Sequence, residues 1–498
     1  MKRLKENKTM KQSRKTTYLL IAALVTILLL LFASRNLTRQ SPQGGGNTVV
    51  PVASPSATFS PPFGLPSAEI IHPSPIPSDY PTHVAETLAA MPPTITPAPT
   101  ATSTLGPPAC TFPLAGTIAE ESKPEEYTFS EPQVVLTTPY NVYDIIEWLP
   151  DNQRVLLTHE LPPDNIHFTQ QAIELYNPST GETQVYATRN RIDQIMQIDQ
   201  TPLWQSRLNA VIYPSVRILV VDDNGKRKLT YQAWVSYGDP DSAQMIADNL
   251  LQLPLAIKSD HSEIIYLLDR QLSRRNGLLE ELPPISFDLD QWDYAKAQRQ
   301  NTPLSYKMIW QPDTSQIFLY SRGDLGGGYT FILNANTGKV CDLNLDGWAR
   351  KARWSPNGRY LTILRLRGTT PVDSTDLAVL DAFTGNLYTI GVVPQEIVGK
   401  HYVDDFVWAP DNHHLLAVGS VFPFSYGNQA DSNSEHHELY LVDFISGQSK
   451  NILPEYRFNV SSTNDNLAWS SDGSKVLVRC STQKEARVCF VSVQSIGQ

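Results

Sequence analysis

The tract Trp354-Ser-Pro-Asn357-Gly358 decides the fold, because it does not stand alone. Four further segments repeat it: Trp148-Leu-Pro-Asp151-Asn152, Trp310-Gln-Pro-Asp313-Thr314, Trp408-Ala-Pro-Asp411-Asn412 and Trp469-Ser-Ser-Asp472-Gly473. Each places an aliphatic residue seven positions after the tryptophan: Val155, Ile317, Leu361, Leu415 and Val476. Runs of the Pro-Asp-Gly kind preset turn dihedrals, and apolar residues on both sides face a core, so the pattern reads as strand, tight turn, strand. Two weaker copies complete the series. Trp204 keeps Val211 although Arg207 replaces the turn acid, and Ile257 replaces the indole but keeps Asp260 and Ile264. Trp204 and Trp310 are 106 residues apart, twice 53, so a degenerate unit belongs between them.

A second signature comes later in most units, a hydrophobic run ending in Asn or Asp and then a Gly turn. It reads Asn177-Pro-Ser-Thr-Gly181, Asp222-Asp-Asn-Gly225, Asn334-Ala-Asn-Thr-Gly338, Asp381-Ala-Phe-Thr-Gly385 and Asp443-Phe-Ile-Ser-Gly447. Each marks a second hairpin. Two hairpins per unit make a four-stranded antiparallel sheet, and such sheets set radially make a propeller. The expected fold is therefore an all-β, seven-bladed β-propeller. Six blades would result if the Ile257 unit were only an insertion, and a β-sandwich would require the shared offsets to arise by chance.

These motifs resemble the WD40-like, TolB-like propeller repeats, whose hallmark is a Trp-Ser-Pro-Asp-Gly turn, and the resemblance covers roughly residues 127–498. It implies a propeller and says almost nothing of function. TolB itself is six-bladed with an extra N-terminal domain, so seven units here speak against carrying over its role.

The chain after Trp469 has room for three strands, near Asn466–Ser470, Lys475–Cys480 and Val488–Val493. The missing outer strand is expected from Gln133–Thr137, ahead of the first unit, because joining the chain ends in one blade removes an exposed sheet edge. Cys480 and Cys489 flank a polar turn and are expected opposite one another on adjacent strands, where a non-hydrogen-bonded pair has Cα atoms about 4.5 Å apart and a disulfide fits. Cys110 and Cys341 would pair by elimination. No C-x-x-C spacing supports zinc.

Upstream, composition changes sharply. Residues 1–15 form a basic tail with seven Lys/Arg, and Tyr18–Ala33 then carry no charge. A helix over residues 16–34 would be about 28 Å long, which matches a hydrocarbon slab of about 30 Å. No clear A-x-A site ends the run, so it reads as an uncleaved signal anchor rather than a cleaved peptide. The basic flank stays cytoplasmic, which puts the propeller outside the cytoplasm on a single-pass membrane protein. Residues 35–108 form a Pro/Ser/Thr-rich linker: from 41 to 108 there are sixteen of the 38 prolines and no Lys/Arg. Such a stretch buries too little to order itself and reads as an extended tether, or as a glycosylated stalk. The propeller domain with its lead-in is residues 109–498. Beyond residue 108 the chain holds 31 basic against 46 acidic residues, and so acidic a body repels a phosphate backbone, which excludes a nucleic-acid partner.

Two constellations could carry function. Asp144, Asp404 and Asp465 each stand four residues before a tryptophan, and Asp405 sits beside one of them. First strands lining the channel would gather these carboxylates on an arc at its mouth, where like charges raise each other's pKa or recruit Ca²⁺. Alternatively, each accepts from backbone N–H groups at a strand start. The longest link, Gly419–Glu438, carries Phe422, Phe424, Tyr426 and His436, whose rings could meet a sugar or peptide. The His436–His437 pair reads as solvated surface, since neighbours on a strand point to opposite faces. Residues 279–303 read as an inter-blade insertion with a short helix. No G-x-S-x-G, H-E-x-x-H or phosphate-binding glycine loop occurs. The expectation is a membrane-tethered, non-catalytic module binding a protein, peptide or envelope glycan, without a resident cofactor. The alternative is a propeller hydrolase or lyase using the channel carboxylates, with Ca²⁺.

Overall fold

The computed structural model describes residues 108–114, 123–138, 143–162, 169–191, 201–221, 227–250, 255–268, 271–285, 305–322, 329–345, 348–366, 375–393, 400–422, 436–458, 460, 465–482 and 485–496. Of the two compact units into which the chain divides, Met1–Ala98 lies outside these residues, and Pro99–Gln498 holds every strand. The expected anchor (16–34) and nearly all of the expected linker fall outside them too. Among the described residues no helix is long and apolar enough to cross a membrane.

Among the described residues seven sheets form, each antiparallel and, apart from the closing one, four-stranded. Their innermost strands are Tyr143–Trp148 (blade 1), Leu203–Gln205 (blade 2), Leu255–Ile257 (blade 3), Ser305–Trp310 (blade 4), Trp348–Trp354 (blade 5), Lys400–Trp408 (blade 6) and Leu467–Trp469 (blade 7). The seven-residue offset is a cross-strand pair. Trp148 opposes Val155, Trp204 Val211, Trp310 Ile317, Trp354 Leu361, Trp408 Leu415 and Trp469 Val476, and the degenerate unit pairs Ile257 with Ile264. The Ile257 unit is thus a true blade, and the count is seven.

The intervening turn needs one left-handed residue: in five blades it stands four positions after the Trp or Ile, as Gly358 (φ 71°), Gly473 (φ 75°), Asn152 (φ 53°), Asn412 (φ 58°) and His261 (φ 55°), whereas in blade 4 it is Asp313 at three (φ 57°) and in blade 2 Asn209 at five (φ 48°). Gly358 has a second reason to be glycine, since a Cβ there would come within 3.0 Å of the Pro312 carbonyl of the preceding blade. The turn acid accepts local N–H groups: Asp151 Oδ1 from Gln153 and Arg154, and Asp411 Oδ1 from His413 and His414. Turns also bond to neighbours around the rim, with Ser471 N donating to Asn152 Oδ1 (3.0 Å) and Asn357 N to Asn412 Oδ1 (2.7 Å).

Burial explains why the sheets stand in a ring. Among the described residues seven hydrophobic clusters form, one for each pair of neighbouring blades, including the pair 7 and 1. Both faces of every blade are therefore apolar and covered. Indoles reinforce the seams: Trp148 Nε1 donates to the Ala468 carbonyl of blade 7, and Trp408 Nε1 to the Arg353 carbonyl of blade 5.

The ring closes as its sequence implied. Gln133–Thr138 pairs with the last strand, Ala486–Ile496, and Glu126–Phe129 adds a further pairing to the same strand. The lead-in also reaches backward. Glu125 N donates to Asp411 Oδ2 of blade 6 (3.2 Å), and residues 108–114 lace blade 4 to blade 5 through Asp342 N to Pro108 O (2.8 Å) and Leu114 N to Ala382 O (2.8 Å). Phe112 packs where a Cβ on Gly385 would meet its ring at 2.6 Å.

Four expectations change. Cys480 and Cys489 are bonded but not directly opposite: Cys489 faces Val478, the Cys480 amide donates to the Arg487 carbonyl, and the bridge runs diagonally with Cα atoms 5.7 Å apart. The reason is a tighter turn, closed by Thr482 N to Glu485 O (2.8 Å), which shifts the register. Asp222–Gly225 links the second and third strands of blade 2 rather than a later hairpin. The start of the supposed insertion is instead the outer strand of blade 3, Glu281–Ile285. Residues 286–304 lie outside the described residues. The long link of blade 6 shortens to 423–435, because Gly419–Phe422 and His436–Glu438 are paired strand.

Cys110 and Cys341 also form a disulfide, closing a separation of 231 residues against nine for the other bridge. Chain entropy then ranks them: the Cys110→Ser/Cys341→Ser pair should cost about 5 kcal/mol and the Cys480→Ser/Cys489→Ser pair about 3 kcal/mol. Denaturant unfolding of the two double variants checks this, and a larger loss for the short loop would refute the ranking.

Candidate functional site

The innermost strands surround an axial cavity of about 300 Å³. Its lining is polarised. Blades 1 and 7 contribute Glu147 and Asp465, blades 4 and 5 contribute Lys307, Lys351 and Arg353, and blades 2 and 3 contribute the apolar Leu203, Leu255 and Ile257.

Three of the predicted carboxylates sit differently from the expected arc. Asp465 is in the channel, and Lys351 Nζ bridges it to Asp405, which is fully buried. Arg353 Nη2 adds a 3.2 Å bond to Asp465 Oδ1. Asp405 accepts in addition from Phe406 N (2.7 Å) and Asn466 N (2.6 Å). Asp404 turns elsewhere. A bulge between Val403 and Asp405 takes it out of the ladder, and its Oδ2 lies 3.5 Å from His437 Nε2 on the third strand of its own blade. Asp144 accepts from Thr158 Oγ (3.0 Å) on the strand opposite. The structure therefore brings Asp405 and Asp465 together and leaves Asp144 and Asp404 in separate partnerships.

Electrostatics reflect the partners. Against the cost of burial, the Lys351 ammonium first, and then Arg353 and Lys307, hold the Asp465 carboxyl well below the usual carboxylate range. Burial pushes Asp404 up, the His437 neighbour offsetting part of the rise. Glu147, reachable from the channel yet surrounded by protein, is also pushed up by desolvation, partly offset by the Trp204 amide (3.1 Å) and Arg353. Among the described residues no group of three or more His, Cys, Asp or Glu side chains is placed to hold a metal ion.

Of the aromatic link, Phe422 ends the second strand of blade 6 and His436 begins the third, while Phe424 and Tyr426 lie outside the described residues. The histidine pair is not solvated surface as a unit, because His437 is buried against Asp404. The sequence reading missed Glu147, Lys307, Lys351 and Arg353. A signal existed: Glu147 and Arg353 immediately precede their tryptophans, and Lys307, Lys351 and Asp405 stand three before theirs, charges within three residues of the seam indole.

No family model matches this chain, and no curated protein matches it. Solved structures do. It is similar to TolB from Acinetobacter baumannii (13% identity, 68% of this chain and 78% of that one, TM-score 0.33). It is also similar to the β-propeller domain of Cps50 (Swd1) from Myceliophteria thermophila (9%, 72% and 99%, TM-score 0.42) and to that of the Trilobed protease from Pyrococcus furiosus (10%, 75% and 96%, TM-score 0.41). The likeness concerns the fold alone, and the fold here rests on the strand pairing itself.

Lys351 is the keystone of the channel. Lys351→Met would leave one buried carboxylate and one channel carboxylate without their shared cation, a loss of about 3 kcal/mol near neutral pH. Because the Asp465 pKa is depressed in the folded state, its contribution is present above the unfolded carboxylate pKa and fades as pH falls through the folded one. The gap between wild type and variant should accordingly narrow in acid, which chemical denaturation across pH would show. A gap constant with pH would contradict the assignment.

Proposed function

We propose that this chain is a single-pass membrane protein that displays a non-catalytic β-propeller outside the cytoplasm, as a binding or scaffold module for a protein, peptide or envelope glycan. The observation that carries the non-catalytic part is the engagement of Asp405 and Asp465: Lys351 bridges both, and Arg353 and two backbone amides take up further acceptor capacity. Carboxylates held in this way are poor general bases and poor Ca²⁺ ligands. Export is supported by the basic tail and apolar run at residues 2–33 and by two disulfides, which persist in oxidising compartments. The partner would be met by the links between second and third strands, blade 6 offering Phe422, Phe424, Tyr426 and His436.

One observation favours the hydrolase or lyase alternative. Glu147, pushed up, and Asp465, held down, share one cavity, and carboxyls with separated pKa values are what acid–base catalysis uses.

Treating intact cells with protease and with a membrane-impermeant amine label tests display. The propeller should be labelled or cleaved while the N-terminal tail is protected, and deletion of 16–34 should release the protein from membranes. A propeller protected inside the cell overturns the reading. Assay of purified protein on glycosides, polyuronates and peptides should give no turnover; turnover abolished by both Glu147→Gln and Asp465→Asn would establish the alternative instead.

A further inference from the structure

Among the described residues the chain enters the propeller at Pro108, and it meets the fold in a particular order. The strap of residues 108–114 comes first. The Cys110 amide donates to the Asp342 carbonyl (2.9 Å), the Asp342 amide to the Pro108 carbonyl (2.8 Å) and the Leu114 amide to the Ala382 carbonyl of blade 5 (2.8 Å), and Cys110 is covalently bonded to Cys341. The closing strands follow: Glu125 reaches Asp411, and then Glu126–Phe129 and Gln133–Thr138 run along the last strand. Hydrogen bonds and packing hold these, with the rings of Tyr127 and Phe129 set edge-on to Trp469 at 5.2 and 5.9 Å.

The two attachments answer a pull differently. Strand pairing begins with Glu126 opposite Ile496, at the end of Ala486–Ile496, so tension arriving from upstream falls on that pair before the others. A strand loaded from its end gives way pair by pair, each hydrogen bond contributing about 0.5–1.5 kcal/mol net. Cys341 lies inside the chain of blade 4, opposite Ile332. Val340 before it pairs with Leu333, and after it the Leu343 amide donates to the Thr330 carbonyl (2.9 Å), while Leu343 and Leu345 pack into the seam between blades 4 and 5. Extracting Cys341 means drawing chain from both sides at once.

We propose that the strap and its disulfide form a mechanical clasp: tension reaching the propeller from the chain ahead of Pro108 passes through the Cys110–Cys341 bond into blade 4, and the strands that close the ring carry none of it. Residues 111–340, which include both closing segments and all of blades 1, 2 and 3, lie off that path. An oxidising compartment keeps the bond closed. The source of the tension rests on the membrane-tether reading above, whereas the clasp is a property of the propeller itself.

The test pulls single molecules of the detergent-solubilised full chain in optical tweezers, through handles coupled to genetically encoded azido side chains. One handle is at Ile445→p-azidophenylalanine, an exposed site on blade 6. The other is at Lys2→p-azidophenylalanine, upstream of the clasp, or at Lys123→p-azidophenylalanine, downstream of it. In the disulfide-bonded protein the Lys2 pull should show no release before the blades unfold. The Lys123 pull of equally bonded protein should show an early release of about 50 Å of contour as residues 123–138 peel away, at about 3.3–3.6 Å per residue. Adding Cys110→Ser/Cys341→Ser should bring an early release of about 100 Å, residues 109–138, to the Lys2 pull. Cys480→Ser/Cys489→Ser, off the path, should not. The comparison of Lys2 with Lys123 needs no cysteine variant, so it stands even where the Ser pair fails to fold. An early release under the Lys2 pull of the bonded protein, or none under the Lys123 pull, overturns the proposal. A propeller found inside the cell would remove the membrane as the source of tension and leave the clasp standing, and failure of the clasp leaves the display of the propeller untouched.

Discussion

Everything in this molecule depends on the packing of one blade's apolar face against the next. A lone four-stranded sheet of this composition would expose two greasy faces, and seven of them satisfy one another only in a closed cycle, as the seven clusters show. The indole at or next to the end of six of the inner strands occupies this seam, opposite an aliphatic residue on the second strand and, in blades 1 and 6, hydrogen-bonded to a carbonyl of the preceding blade. Blade 3 manages with Ile257, because burial rather than the indole N–H is what the seam requires.

Closure turns that cycle into a covalent and non-covalent belt. The segment before blade 1 is fixed to blades 4 and 5 by its disulfide and backbone bonds, touches blade 6 at Asp411 and completes blade 7. Loss of a single contact along this path leaves others in place, so the ends of the chain are held by several independent constraints rather than one edge strand.

The channel shows the opposite economy, in which a few charges are shared among many blades. Lys351 of blade 5 joins Asp405 of blade 6 to Asp465 at the start of blade 7, and Arg353 spans the same gap. Charges so placed tie three blades together at the axis, and in doing so they engage two of the most obvious candidate catalytic residues. Glu147, which accepts the Trp204 amide, is the channel carboxylate that stands outside the Lys351 pairing.

The amino-acid sequence by itself determined the propeller, the turn positions and the closing strand, and pointed to seven blades and two cysteine pairs; the strand pairing of the Ile257 unit decided the count. The blades and turns are written in local spacing: Trp to aliphatic at seven residues, the turn acid at three and, in five blades, a left-handed residue at four. Those offsets are properties of a single hairpin and survive without knowledge of its neighbours. What only the tertiary structure decided is where charge meets charge. Asp404 and Asp405 are adjacent in sequence, yet a bulge sends one to His437 and the other to Lys351, and Glu147 of blade 1 and Arg353 of blade 5 become neighbours of the same cavity. Strand spacing carries no record of bulges or of which blade stands across the axis, so the candidate site could be read only in part before the ring was closed.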